Sequence, residues 1–103
     1  MVMRDLNIGT KIGLELLTDK WYALTLSNLA AQPVDFMVLR QRVRGLSTLK
    51  LLTVLAKLTE LKLVVSTADY AYGLTPTGLE LKTSLVQLEA WGNRAITAMN
   101  DPL

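Results

Sequence analysis

Apolar residues recur three or four positions apart along most of the chain, with polar residues between them, which is the spacing of amphipathic helices. Ile12, Leu16 and Leu17 form one such stripe and predict a first helix over 10–17. Thr18-Asp19 breaks it and supplies cap candidates for a second helix over 20–31, in which Trp21, Leu24 and Leu29 share a side. Gln32-Pro33-Val34 ends that helix, because a proline pushes the residue before it out of helical geometry. Asp35 then suits the N-cap of a short helix over 36–43, with Phe36, Leu39 and Val43 as its buried side. Arg44-Gly45-Leu46 reads as a tight turn, and Ser47 as the N-cap of a fourth helix reaching about residue 61. Two helices joined by a short glycine-containing turn predict a helix-turn-helix over about 35–61.

The period changes after residue 61. Leu63-Val64-Val65-Ser66 favours strand, Thr67-Ala68-Asp69 a short turn, and Tyr70-Ala71-Tyr72-Gly73-Leu74-Thr75 a returning strand whose two tyrosines alternate onto one face. This hairpin, over about 63–75, stands where a wing would follow a helix-turn-helix, and it yields two or three short strands at most. Thr75-Pro76 opens a last helix over about 76–99, with proline where its missing N–H does no harm. Leu81, Leu85, Leu88 and Ala95 stripe one side of it, with Trp91 close by. The expected fold is mainly α (α+β): a winged helix-turn-helix with a short β-hairpin wing and additional N- and C-terminal helices, all in one domain over 1–103.

Composition narrows what such a fold can do. The 103 residues suit one domain. There is no cysteine and no histidine, which removes disulfides, thiolate chemistry and the side chain most used as a general base or transition-metal ligand near neutral pH. Glu80 and Glu89 lie nine apart, and the other carboxylates are scattered, so none pair for acid–base work or metal binding. Gly9-Thr10-Lys11-Ile12-Gly13 lacks the spacing of a phosphate loop. The chain reads as a non-enzyme with no metal and no cofactor. Apolar runs no longer than four residues and an N-terminus without a basic-then-apolar pattern predict no membrane span and no signal peptide, hence a cytoplasmic protein. A net charge of +2 permits nucleic-acid binding without requiring it.

Four segments together resemble the HxlR-type regulators, a branch of the MarR-like winged-helix proteins. They are Asp19-Lys20-Trp21; Gln32-Pro33-Val34-Asp35-Phe36 with Leu39-Arg40; Gly45-Leu46-Ser47 with Leu51, Leu55, Leu58 and Leu63-Val64; and Leu74-Thr75 with Gly78, then Leu88 with Trp91-Gly92. The resemblance covers about residues 8–92. It implies a homodimeric bacterial or archaeal DNA-binding regulator, whose terminal helices form the dimer, whose helix after Gly45-Leu46-Ser47 enters the major groove, and whose hairpin touches the flanking backbone. Two departures bear on mechanism. Ile8 stands where many members carry a thiol-sensing cysteine, and the wing is short, with no Arg or Lys between Leu63 and Gly78.

On a helical wheel with Leu51 inward, Leu55 and Leu58 fall beside it, while Leu49, Thr53, Ala56 and Glu60 face away. Lys50 and Lys57 flank one edge, Thr48 and Leu52 the other. The DNA-contact candidates are therefore Arg40, Arg42 and Arg44 as a phosphate clamp, with Ser47, Thr48, Leu49, Lys50, Thr53 and Lys57 on the reading helix. The same arginines and lysines also suit a solvated face. Between Leu46 and Leu61 there is no Arg, Asn or Gln, the residues that read bases in pairs of hydrogen bonds. Leu49 and Leu52 then either meet thymine methyls, bind a protein, or belong to the core under a different helix phase. Trp21 and Trp91 suit core or dimer packing more than a ligand pocket. The terminal helices carry more apolar surface than one small core needs, so Ile12, Leu16, Leu85, Leu88, Trp91 and Ala95 are dimer-interface candidates. Two functions compete: a homodimeric regulator of double-stranded DNA, with an effector unspecified by the sequence, and a winged-helix protein-interaction module that has lost DNA binding.

Overall fold

The computed structural model describes residues 7–67 and 69–100. Residues 1–6, Ala68, which the sequence reading put in the hairpin turn, and the closing residues 101–103 lie outside the described residues. The elements are α1 (Ile8–Thr18), α2 (Lys20–Ser27), β1 (Val34–Asp35), α3 (Phe36–Arg42), α4 (Thr48–Glu60), β2 (Val64–Ser66), β3 (Ala71–Leu74) and α5 (Pro76–Asn100). Helices dominate, and one antiparallel sheet has the order β1-β3-β2. This is a winged helix.

The starts of the helices are written in short polar side chains that accept the free N–H groups of the first turn. Asn7 accepts from Thr10 N at 2.8 Å, which starts α1 two residues before the predicted position. Asp19 accepts from Trp21 N and Tyr22 N, Asp35 from Met37 N, and Ser47 from Lys50 N. Between α3 and α4, Gly45 has φ +86°, a left-handed conformation that a side chain resists. Its α-carbon also faces the rim of the Trp21 indole.

Three expectations need correction. First, α2 stops at Ser27, not near residue 31. The Asn28 amide bonds back to the Leu24 carbonyl at 2.8 Å, and beyond it the carbonyls of Leu29 and Ala30 leave the helix to accept from Lys82 Nζ (2.6 Å) and Leu74 N (2.7 Å). Leu29 drops into the core from this loop, whereas Leu24 is exposed, so the two do not share a side. Second, Val34–Asp35 is a strand, absent from the expectation, that pairs with β3 as Val34 opposite Tyr72 and Asp35 opposite Ala71. Third, Tyr70 and Tyr72 do not share a face. Tyr70 sits in the turn with φ +58° and is exposed, while Tyr72 packs edge-on against Phe36 with ring centroids 6.3 Å apart.

The core is aliphatic: Leu26, Leu29, Leu39, Val43, Leu51, Val54, Leu55, Leu58, Leu63, Val64 and Leu74, joined by Leu16 from α1. One polar group is trapped in it. Thr25 is fully buried, and its hydroxyl has no hydrogen-bond partner among the described residues. A buried donor left unmade costs about 1–3 kcal/mol. Thr25→Val is therefore expected to raise stability by about 1 kcal/mol, read as a higher urea midpoint at unchanged slope. A lowered midpoint would show that the hydroxyl is satisfied in solution.

The wing and α5 are joined at their roots. Thr75 Oγ1 donates to the Lys62 carbonyl at 2.7 Å and accepts from Gly78 N at 3.0 Å, and Thr75 N donates to the Leu63 carbonyl at 3.1 Å. Lys62 takes φ +65° to make this turn. The segment Leu74-Thr75 with Gly78 thus ties the end of α4 to the start of α5, and fixes the angle between them.

Candidate nucleic-acid interface

Thirteen residues of α4 make a rod about 20 Å long. Leu51, Val54, Leu55 and Leu58 bury its inner side. Leu49 is 75% exposed and Leu52 40% exposed, so the helix phase read from the sequence holds and neither leucine is core. Thr48, Lys50, Thr53, Ala56, Lys57 and Glu60 are also exposed. Two of the DNA-contact candidates here already have their hydroxyls engaged. Ser47 Oγ caps the N-terminus, and Thr53 Oγ1 donates to the Leu49 carbonyl at 2.9 Å.

The three arginines of the α3–α4 corner diverge. Arg40 and Arg44, four apart, line one open depression of about 440 Å³ together with Gln41, Val43, Gly45 and Leu46. Arg42 turns the other way, and its Nη1 donates to the Asn28 carbonyl at 3.5 Å. The depression beside the turn therefore brings together two of the three clamp candidates and adds Gln41 and Leu46. Gln41 was not anticipated. Its only sequence signal is its place between two arginines on a short helix. Among the described residues, no carboxylate pairs with Arg40, Arg44, Lys50 or Lys57.

Sequence comparison decides the family at this point. The HxlR-like helix-turn-helix model matches residues 16–100. The chain belongs to the HxlR-like helix-turn-helix family. No curated protein matches the sequence. Among solved structures, the quinone-bound YodB from B. subtilis superposes with a TM-score of 0.80 at 21% identity, covering 86% of this chain and 99% of that one. A transcriptional regulator assigned to the MarR family from Enterococcus faecalis V583 gives 0.79 at 20% identity, covering 96% and 97%. A possible HxlR family transcriptional factor from Thermoplasma volcanium GSS1 gives 0.66 at 22% identity, covering 96% and 88%. At these identities the superpositions establish the shared fold.

Within this HxlR-like chain the dimer candidates separate. Leu16 is only 5% exposed and belongs to the core, so it is spent within the single chain. Ile12 and Leu88 are exposed, Trp91 is 61% exposed, and Leu85 and Ala95 are half-buried. The structure adds Ile8 and Leu14 on α1, and Val86, Ile96 and Met99 on α5, all exposed. On α5 the residues Leu85, Leu88, Gly92, Ala95 and Met99 repeat in alternating steps of three and four, as along a coiled-coil seam. Trp21 is half-buried against the core and carries Lys20 Nζ 4.8 Å above its ring. Neither tryptophan lines the partly enclosed cavity of about 200 Å³ that lies among Ile12, Glu15, Leu16, Tyr22, Lys57 and Leu61. No described helix is long and apolar enough to cross a membrane.

Proposed function

We propose that this chain is a homodimeric DNA-binding transcriptional regulator, one winged-helix domain per protomer, that inserts α4 into the major groove and acts in the cytoplasm without catalysing a reaction. The observation that carries the reading is the α3–α4 corner: Arg40 and Arg44 share one open, polar depression at the base of an exposed helix, in a chain of the HxlR-like helix-turn-helix family. Two guanidinium groups there suit a phosphate, which fixes register while α4 meets the bases. Arg42, Lys50 and Lys57 add positive charge around the same helix.

Dimerisation is supported by shape. The radius of gyration is 16.1 Å, against about 13 Å for a 100-residue compact domain. The excess comes with a 25-residue α5, about 38 Å long, whose apolar seam is largely uncovered. A twofold partner would cover that seam and present two copies of α4 to half-sites one helical turn, about 34 Å, apart. The competing role, a protein-interaction module, draws on the apolar outer face of α4 and on a wing without Arg or Lys.

The test is fluorescence anisotropy with mixed-sequence duplex at low salt. Sub-micromolar binding is expected, weakened at least tenfold in Arg40→Ala/Arg44→Ala at unchanged circular dichroism. Arg40 and Arg44 are exposed, so their truncation leaves the fold intact. Absence of binding by the folded wild-type protein would overturn the proposal.

A further inference from the structure

The outer face of α4 is apolar where a groove reader is ordinarily polar. Leu49, Leu52, Thr53 and Ala56 stand at successive steps of three, one and three, so they form one strip on the side opposite the buried Leu51, Leu55 and Leu58. Leu49 is 75% exposed, more than almost any other large apolar residue of the described chain. The donor of Thr53 is spent on the Leu49 carbonyl, so this side chain brings little hydrogen-bonding capacity to the strip. Ser47 Oγ is likewise occupied as the cap. Lys50 and Lys57 stand along one edge, where a phosphate backbone would run. Glu60, the one acid on the outer face, lies eleven residues beyond Leu49, about 16 Å along the axis, past the N-terminal turns that reach base edges.

A major groove offers one apolar group on its base edges, the C5-methyl of thymine. Resting on the DNA-binding reading above, we propose that this regulator selects its operator by packing Leu49, with Leu52, Thr53 and Ala56, against thymine methyls, so that its half-sites are A·T-rich and contain no guanine read by an arginine fork. Lys50 on the edge of the strip matches the flanking phosphates, which commits this face to a duplex more than to an apolar protein surface.

Thymine methyls can be removed one at a time. After selection of a preferred duplex from a random pool, each thymine is replaced by deoxyuridine, which lacks only the methyl. Each contacted methyl is expected to be worth about fourfold in affinity, and about fifteenfold when removed from both half-sites of a symmetric duplex. Leu49→Ala, at an exposed position, is expected to weaken wild-type binding similarly and to abolish the sensitivity to deoxyuridine at its own thymine. Selected half-sites anchored on guanine, or deoxyuridine duplexes bound as tightly as thymine ones, would overturn this inference while leaving DNA binding standing. No duplex binding by a folded protein would remove both readings and assign the apolar strip to a protein partner.

Discussion

Gly78→Ala is expected to destabilise the chain by about 3 kcal/mol or more, although it lies in a helix, where alanine ordinarily gains about 1 kcal/mol over glycine. The reversal follows from what lies against it. A methyl group at Gly78 overlaps the Leu63 carbonyl oxygen and stands 3.0 Å from the Leu63 carbonyl carbon. The obstacle is backbone, and that same carbonyl accepts from Thr75 N, so no flexible side chain can move aside. To admit the methyl, the turn after α4 must part from the first turn of α5, breaking the Thr75 hydrogen bonds to Lys62 and Leu63. Against a typical total stability of about 5–15 kcal/mol the loss is large. Urea unfolding followed by circular dichroism reads it. Thr77→Ala, one position away and exposed, is expected to stay within about 0.5 kcal/mol of wild type. A Gly78→Ala protein as stable as wild type would show that the wing root and α5 are not locked as described. If it folds at all, it is also expected to bind DNA poorly, because this lock sets α4 relative to α5, the helix proposed to dimerise.

The second large effect lies at the α5 seam, on which Leu88 stands and which the exposed Ile96, next to Ala95, flanks. Leu88→Asp together with Ile96→Asp is expected to convert the proposed dimer to a monomer and to lower duplex affinity at least a hundredfold, since two linked half-site contacts become one. Both residues are about half exposed in the single chain, so the substitutions remove little from its own core. The cost falls on a partner helix that would meet a buried carboxylate. Sedimentation equilibrium gives the mass and anisotropy the affinity. A variant that still sediments as a dimer would place the interface elsewhere, with α1 and its Ile8, Ile12 and Leu14 the next surface to test.

Local rules made most of this architecture readable before the structure. Asp19, Asp35 and Ser47 are caps that need only their own helix, and Leu51, Leu55 and Leu58 are core because of their spacing on one. The tight turn at Gly45 likewise follows from one residue type in one conformation. What could not be read depends on distant partners. The early end of α2 is set by Lys82 and Leu74, each more than forty residues away, which draw the carbonyls of Leu29 and Ala30 out of the helix. β1 is a strand only because β3 lies beside it. The same holds for the site. Sequence grouped Arg40, Arg42 and Arg44 by proximity in the chain, but their directions depend on the α2 end, where Arg42 finds the Asn28 carbonyl. Leu16 looked like surplus apolar surface, and the packing of α1 on α2 places it in the core.

In the proposed mode of binding, cations of the α3–α4 corner hold DNA by its phosphates, and the salt dependence of duplex binding tests this. Plotted as log affinity against log salt, wild-type binding is expected to fall linearly and steeply, because each neutralised phosphate releases condensed counterions. The Arg40→Ala/Arg44→Ala protein removes four cations from a dimer, so the slope is expected to flatten by about 3.6. Binding that is insensitive to salt, or an equal slope in wild type and variant, would show that Arg40 and Arg44 do not hold phosphates.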